Sequence, residues 1–219
     1  LGWQMYAHES NDRLAYNYGG DSERGILLTN LQENWVGNTM TWELDQDNTN
    51  TTFVGTAKLT PYTGGRSQLY QCPSDRALSR IQRNAGWRAR VRSISMNAMV
   101  GHAGQAMYGR TNRNNPDFVQ FLKLTDISHP DRVFVFLDEH PDSIDDGQFI
   151  VDCDMQRAAA RLISFPASWH NGACSVAFAD GHSEIHKWQD AATKYHVRYC
   201  GCLASYAHQG YFTIAPNSP

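Results

Sequence analysis

Five carboxylates crowd one short stretch of this chain: Asp138, Glu139, Asp142, Asp145 and Asp146. A sixth, Asp180, stands before Gly181 further on. Hard cations take several oxygen ligands at short range, and acidic loops supply them. Asp138, Glu139, Asp145, Asp146 and Asp180 are therefore the candidate calcium ligands. The spacing is not that of an EF-hand, because the D-x-D-x-D-G run and its closing Glu are missing. The bland alternative is a solvated acidic loop whose carboxylates cap turns.

The histidines offer a second chemistry. His182, Glu184 and His186 alternate, so on a strand they share one face, and His170 could approach them. Imidazoles beside a carboxylate can hold zinc; a polar outer strand face is the plainer reading. A hydrolase would take Ser168 or Ser175 as nucleophile, His170 as base and Asp180 as orienter. No G-x-S-x-G elbow supports that. The structural reading of the same residues is a clamp: His170 bonded to Asp180, with Gly181 holding the turn. Nine intervening residues span about 30 Å when extended, so contact requires the chain before Cys174 to fold back. Otherwise His170 and Asp180 serve separate local roles. Trp35, Trp42 and Trp87 could stack on sugars; loop anchors packed on the core are the plainer reading.

These residues need elements to hold them. Cys174, Val176 and Phe178 alternate with smaller residues, as in a half-buried strand. Asp180-Gly181 reads as a turn, and His182 to Trp188 as the returning strand. Val133 to Leu137 is a short apolar run of β-branched and aromatic residues, the best candidate for a central strand. Gln148 to Val151 reads as a further strand, and Val91 to Val100 as extended. Residues 1–10 read as helix, with Leu1, Met5 and His8 near one face. The stretch 45–52 is polar and reads as a surface loop.

The chain has 219 residues and a net charge of −3, with Lys plus Arg 19 against Asp plus Glu 22. That balance argues against a dedicated nucleic-acid binder, which carries a clustered basic face. No apolar run is long enough to span a bilayer. The five cysteines allow one or two disulfides and leave at least one thiol over. Cys200-Gly201-Cys202 is C-x-C, so a thioredoxin-type motif is not indicated.

Several segments resemble a known family. His170, nine residues, then Asp180-Gly181 is similar to the signature of prepilin-type H-X9-DG proteins. Cys72-Pro73-Ser74-Asp75 resembles the family's CPSD element, and Arg90 to Asn97 its RxRSYxMN segment. Leu137 to Pro141 with Ser143 to Gly147 resembles its DEHPxSIxDG loop, and Phe165 to His170 leads into the hairpin as in relatives. The likeness covers roughly residues 70–190.

That resemblance implies an α+β, pilin-like fold: a truncated N-terminal helix packed on an antiparallel β-sheet with long loop insertions. Residues 1–219 would form one globular domain, with 1–10 the end of the pilin helix and 191–219 a tail of unknown role. It implies a non-enzymatic subunit of a type II secretion or type IV pilus-like filament. The apolar first half of the helix would precede this sequence and anchor the protein in the membrane. Partners would be other pilin-like subunits and the secretion or pilus machinery, in the periplasm or at the cell surface. Calcium fits, because major pseudopilins carry a structural calcium. The rival expectation is a carbohydrate-binding module that holds glycans on its Trp- and Tyr-rich loops.

Overall fold

The computed structural model describes residues 1–19, 32–153 and 161–200. Helix α1, Gly2–Glu9, opens the chain and buries Trp3, Tyr6 and Ala7. The face that carries Leu1, Met5 and His8 turns outward, because the aromatic rings claim the core side. Three short helical turns follow at α2 (Thr52–Gly55), α3 (Thr60–Thr63) and α4 (Arg80–Asn84). Ser79 and Gln82 form a capping box that starts α4, each side chain accepting the other's backbone N–H.

The strands come later in the chain. They are β1 (Ile94–Asn97), β2 (Met107–Tyr108), β3 (Thr111–Asn112), β4 (Asn115–Val119), β5 (Phe134–Asp138), β6 (Gln148–Phe149), β7 (Val151–Asp152), β8 (Arg161–Leu162), β9 (Ala173–Phe178) and β10 (Ser183–Lys187). The main sheet runs β10-β9-β5-β1-β6. Its pairings are antiparallel except β1 with β6, which is parallel. β5 sits at the centre, where its continuous apolar run is covered on both faces. A small antiparallel sheet, β2-β3-β4, stands apart. The fold is mixed α+β, with few helices and antiparallel-dominated sheets.

Two apolar clusters flank the main sheet. The larger joins Trp3, Tyr6, Trp35, Tyr70, Met96 and Val135. The smaller joins Leu137, Phe149, Ala167, Cys174 and Val176, with Trp169 and Trp188 at its edge. Two polar stretches differ from expectation. In the stretch 45–52, Asp47 and Asn48 are buried, and each accepts a backbone N–H, from Thr39 and Thr41. The acidic stretch is buried too. Arg92 holds the part at Asp145 and Asp146.

Arg92 is fully buried, and its guanidinium donates to the carbonyls of Ile94, Asp145 and Asp146, to Ser95 Oγ and to Asn38. One planar fork thus satisfies the turn that follows β5. Burial pushes its pKa down to about 10, so it stays charged at neutral pH. Its neighbour Arg90 lies 4.4 Å over the Trp42 ring and 3.8 Å from Asp75. The two arginines hold the long loops against the sheet. No helix among the described residues is long and apolar enough to cross a membrane.

Candidate functional site

The β9–β10 hairpin carries the signature, and its two ends differ. At the tip, Gly181 N–H donates to Phe178 O and Phe178 N–H to His182 O. Gly181 has φ +95°, so the turn is closed by a glycine bulge and not by a two-residue loop. A Cβ there would lie 2.7 Å from Gln4 Oε1 of α1. Gln4 Nε2 donates to Ala179 O at 3.0 Å. The glycine therefore serves both the turn and the close seating of the helix. Asp180 is exposed and pairs locally, with His182 Nδ1 at 2.6 Å and the His182 N–H at 3.1 Å. That backbone bond, with the His182 ring beside it, holds the Asp180 carboxyl below its usual range.

At the other end, His170 sits in a tight turn before β9. Its N–H donates to Ala173 O, with Asn171 at φ 56° and Gly172 at φ 81°. Its Nε2 lies 3.4 Å from Cys72 Sγ and 3.9 Å from Asp138 Oδ2. Cys72 is buried just after a 3-10 turn, its N–H bonded to Ser93 Oγ at 2.7 Å. Asp138 ends β5, also buried, and its Oδ2 accepts the Ser175 N–H at 3.0 Å. The three ligand atoms all lie within 4.8 Å of one another. Among the described residues this is the one such group of His, Cys, Asp or Glu.

Electrostatics at this end favour neutral groups. Burial raises the Cys72 thiol, and the Asp138 carboxylate raises it further. Burial also raises Asp138 itself. Cys174 is pushed up to about 12, again by burial first and then by Asp138. A nucleophilic cysteine needs the opposite, a thiol lowered by its surroundings. The geometry agrees. In a catalytic triad the imidazole serves the nucleophile with one ring nitrogen and the carboxylate with the other. Here one nitrogen, Nε2, faces both sulfur and carboxylate.

The expected His170–Asp180 clamp is therefore not formed. The six residues of β9 put roughly 17 Å between the hairpin's ends at about 3.4 Å per residue. The two residues keep separate roles. The hydrolase set fails for the same reason, because Asp180 cannot orient His170 from the tip. The β10 zinc face is exposed, and its groups pair within the strand, His186 with Glu184 at 2.9 Å.

The expected calcium ligands are dispersed. Asp138 serves Ser175 and His170, and Asp180 is at the tip. Glu139 is buried above Arg92 and accepts the Ser143 hydroxyl at 2.7 Å. Burial pushes its pKa up to about 8. Asp145 Oδ1 accepts the Asp146 N–H, and Asp146 Oδ1 the Gln148 N–H. The carboxylates cap turns, as in the bland reading, but inside the protein and not in solvent. Trp35 is a core residue bonded to Asn17 Oδ1, and Trp42 lies beneath Arg90. Only Trp87 of the three rings is part-exposed, so they form no sugar platform.

Sequence reasoning passed over Cys72 as a ligand and over His140. His140 Nδ1 accepts the Asp142 N–H, and Nε2 lies 3.1 Å from Tyr195 O. That pattern needs the neutral Nε2–H tautomer, and burial pushes the pKa down to match. Asp142 in turn accepts the N–H groups of Arg198 and Cys200, tying residues 195–200 to the acidic turn. The part of the tail beyond Cys200 lies outside the described residues. Cys72, Cys153 and Cys174 are free thiols and Cys200 is disulfide-bonded, within the one or two disulfides expected. A signal for the Cys72 centre was present, since Cys72, Asp138 and His170 each sit in a different family-like segment. Comparison with known protein families, curated proteins and solved structures gives no match.

Proposed function

We propose that this chain is the globular part of a non-enzymatic, pilin-like subunit that joins a type II secretion or type IV pilus-like filament. The observation that carries the reading is the seating of α1 on the signature tip. Gln4 binds Ala179 O, and Gly181 lets the helix approach closely. The helix keeps Trp3, Tyr6 and Ala7 for its own core and turns Leu1 and Met5 outward. A helix shared between a head and neighbouring subunits needs two such faces. The buried arginines and acidic turn support the reading as well, since they act on the protein's own loops. A membrane anchor would come from helix preceding Leu1, and the location would be periplasmic or cell-surface. The glycan-binding rival is not carried forward, because Trp35 and Trp42 are buried.

The test follows the full-length gene product in its bacterial cell, with and without prepilin peptidase. Removal of a leader by the peptidase, with recovery in sheared filaments, is the expected result. Cross-linking between subunits through Met5→Cys should accompany it. A full-length chain recovered unprocessed, soluble and monomeric would contradict the proposal.

A further inference from the structure

We infer that Cys72, Asp138 and His170 form a zinc site, with Cys72 Sγ, Asp138 Oδ2 and His170 Nε2 as its three protein ligands. The inference does not depend on the pilin-like reading. Zinc binds thiolate at about 2.3 Å and imidazole or carboxylate at about 2.0–2.2 Å, with tetrahedral angles. Those lengths place sulfur and nitrogen about 3.5 Å apart, and nitrogen and oxygen about 3.4 Å apart. The observed separations are 3.4 Å and 3.9 Å. The sulfur and carboxylate oxygen lie within 4.8 Å, against about 3.6 Å around zinc, so side-chain shifts of up to about 1 Å would complete the geometry.

The donor set selects the metal. One sulfur, one imidazole nitrogen and one carboxylate oxygen suit a borderline-soft ion and not calcium, which takes oxygen. The ligands are held from behind. Ser175 N–H orients the Asp138 carboxylate, Ser93 Oγ fixes the backbone of Cys72, and the positive-φ turn at Asn171 and Gly172 presents His170. Such support makes a ligand set specific. Asp138 is 2% exposed and His170 31%, so the ion would enter from the His170 side and keep a water there as its fourth ligand. Three segments far apart in the chain would then be tied at one point: the turn after Tyr70, the end of β5 and the mouth of the hairpin. Binding would be coupled to folding, because the site joins these three segments. The exposed pairs His182–Asp180 and His186–Glu184 supply only two donors each.

The experiment uses reduced protein, zinc chloride and metal-free buffer. Metal per chain is measured directly, and cobalt is used in parallel for its thiolate charge-transfer band. One zinc per chain and a thiolate–cobalt band are expected. Cys72→Ser should abolish the band. His170→Ala should weaken uptake beyond the roughly 10–100-fold typical of losing a supporting contact. The double variant His182→Ala, His186→Ala should bind as the parent does. Circular dichroism checks that each variant folds. In the unaltered protein, zinc should slow alkylation of Cys72 relative to exposed Cys153. No uptake by the parent, uptake unchanged by Cys72→Ser, or uptake lost in the β10 double variant would each overturn the inference.

Discussion

The two ends of the β9–β10 hairpin carry one sequence signature and obey different physics. At the mouth, His170 meets Cys72 and Asp138, with contacts reaching across 98 residues of chain. At the tip, Asp180 meets His182 two residues away, in solvent. Burial makes the first end costly to leave incomplete, whereas water forgives losses at the second. A motif's spacing therefore says where residues lie along the chain, and burial says which of them bear on stability. Next to Asp138 of the mouth, buried Glu139 and Arg92 hold the turn that follows β5.

That contrast can be broken at four points. Arg92→Met should have the largest effect, about 3–5 kcal/mol in urea unfolding, because it removes the guanidinium's bonds to the carbonyls of Ile94, Asp145 and Asp146 and leaves buried Glu139 without its nearest cation. Glu139→Gln should change the pH dependence. An acid whose pKa is raised from 4.5 to about 8 takes up a proton on folding. Its contribution is fully present below about 4.5 and is lost as pH rises through about 8. The parent should therefore lose stability relative to Glu139→Gln across that window, at a slope no steeper than about 1.4 kcal/mol per pH unit. Melts of both proteins from mildly acidic to mildly alkaline pH would check it.

At the tip, Gly181→Ala should cost roughly 1–2 kcal/mol, because it combines a disfavoured positive φ with a close approach to Gln4. The melting temperature reads this directly. Asp180→Asn should have the smallest effect. The depressed Asp180 pKa contributes stability above its ordinary value of 3.8, lost as pH falls through the lower folded value. Parent and variant melts should differ only slightly at neutral pH and converge in acid.

Much of the fold was legible because its signals are local. The run Val133 to Leu137 delivered β5, and the alternation after Ala173 delivered β9 with its returning strand. Helix α1 was legible as an element, but its buried face was not, because three aromatic and small residues outweighed Leu1 and Met5. Polar burial was not legible. Asp47, Asn48 and the acidic turn read as surface by composition, because a polar stretch does not announce its partners: Thr39 and Thr41 lie only 8 and 7 residues away, whereas Arg92 reaches the carbonyl of Asp146 across 54 residues. The zinc ligands failed for the same reason. Each lay in a segment singled out by resemblance, but no spacing rule joins residues 72, 138 and 170.

The most direct test of the separation between the two ends is a pair of double-mutant cycles, run by urea unfolding with zinc present. One combines His170→Ala with Asp138→Asn, the other His170→Ala with Asp180→Asn. The account requires clear coupling in the first and additivity within about 0.5 kcal/mol in the second. Coupling of His170 to Asp180 as large as its coupling to Asp138 would contradict it, and would restore the clamp.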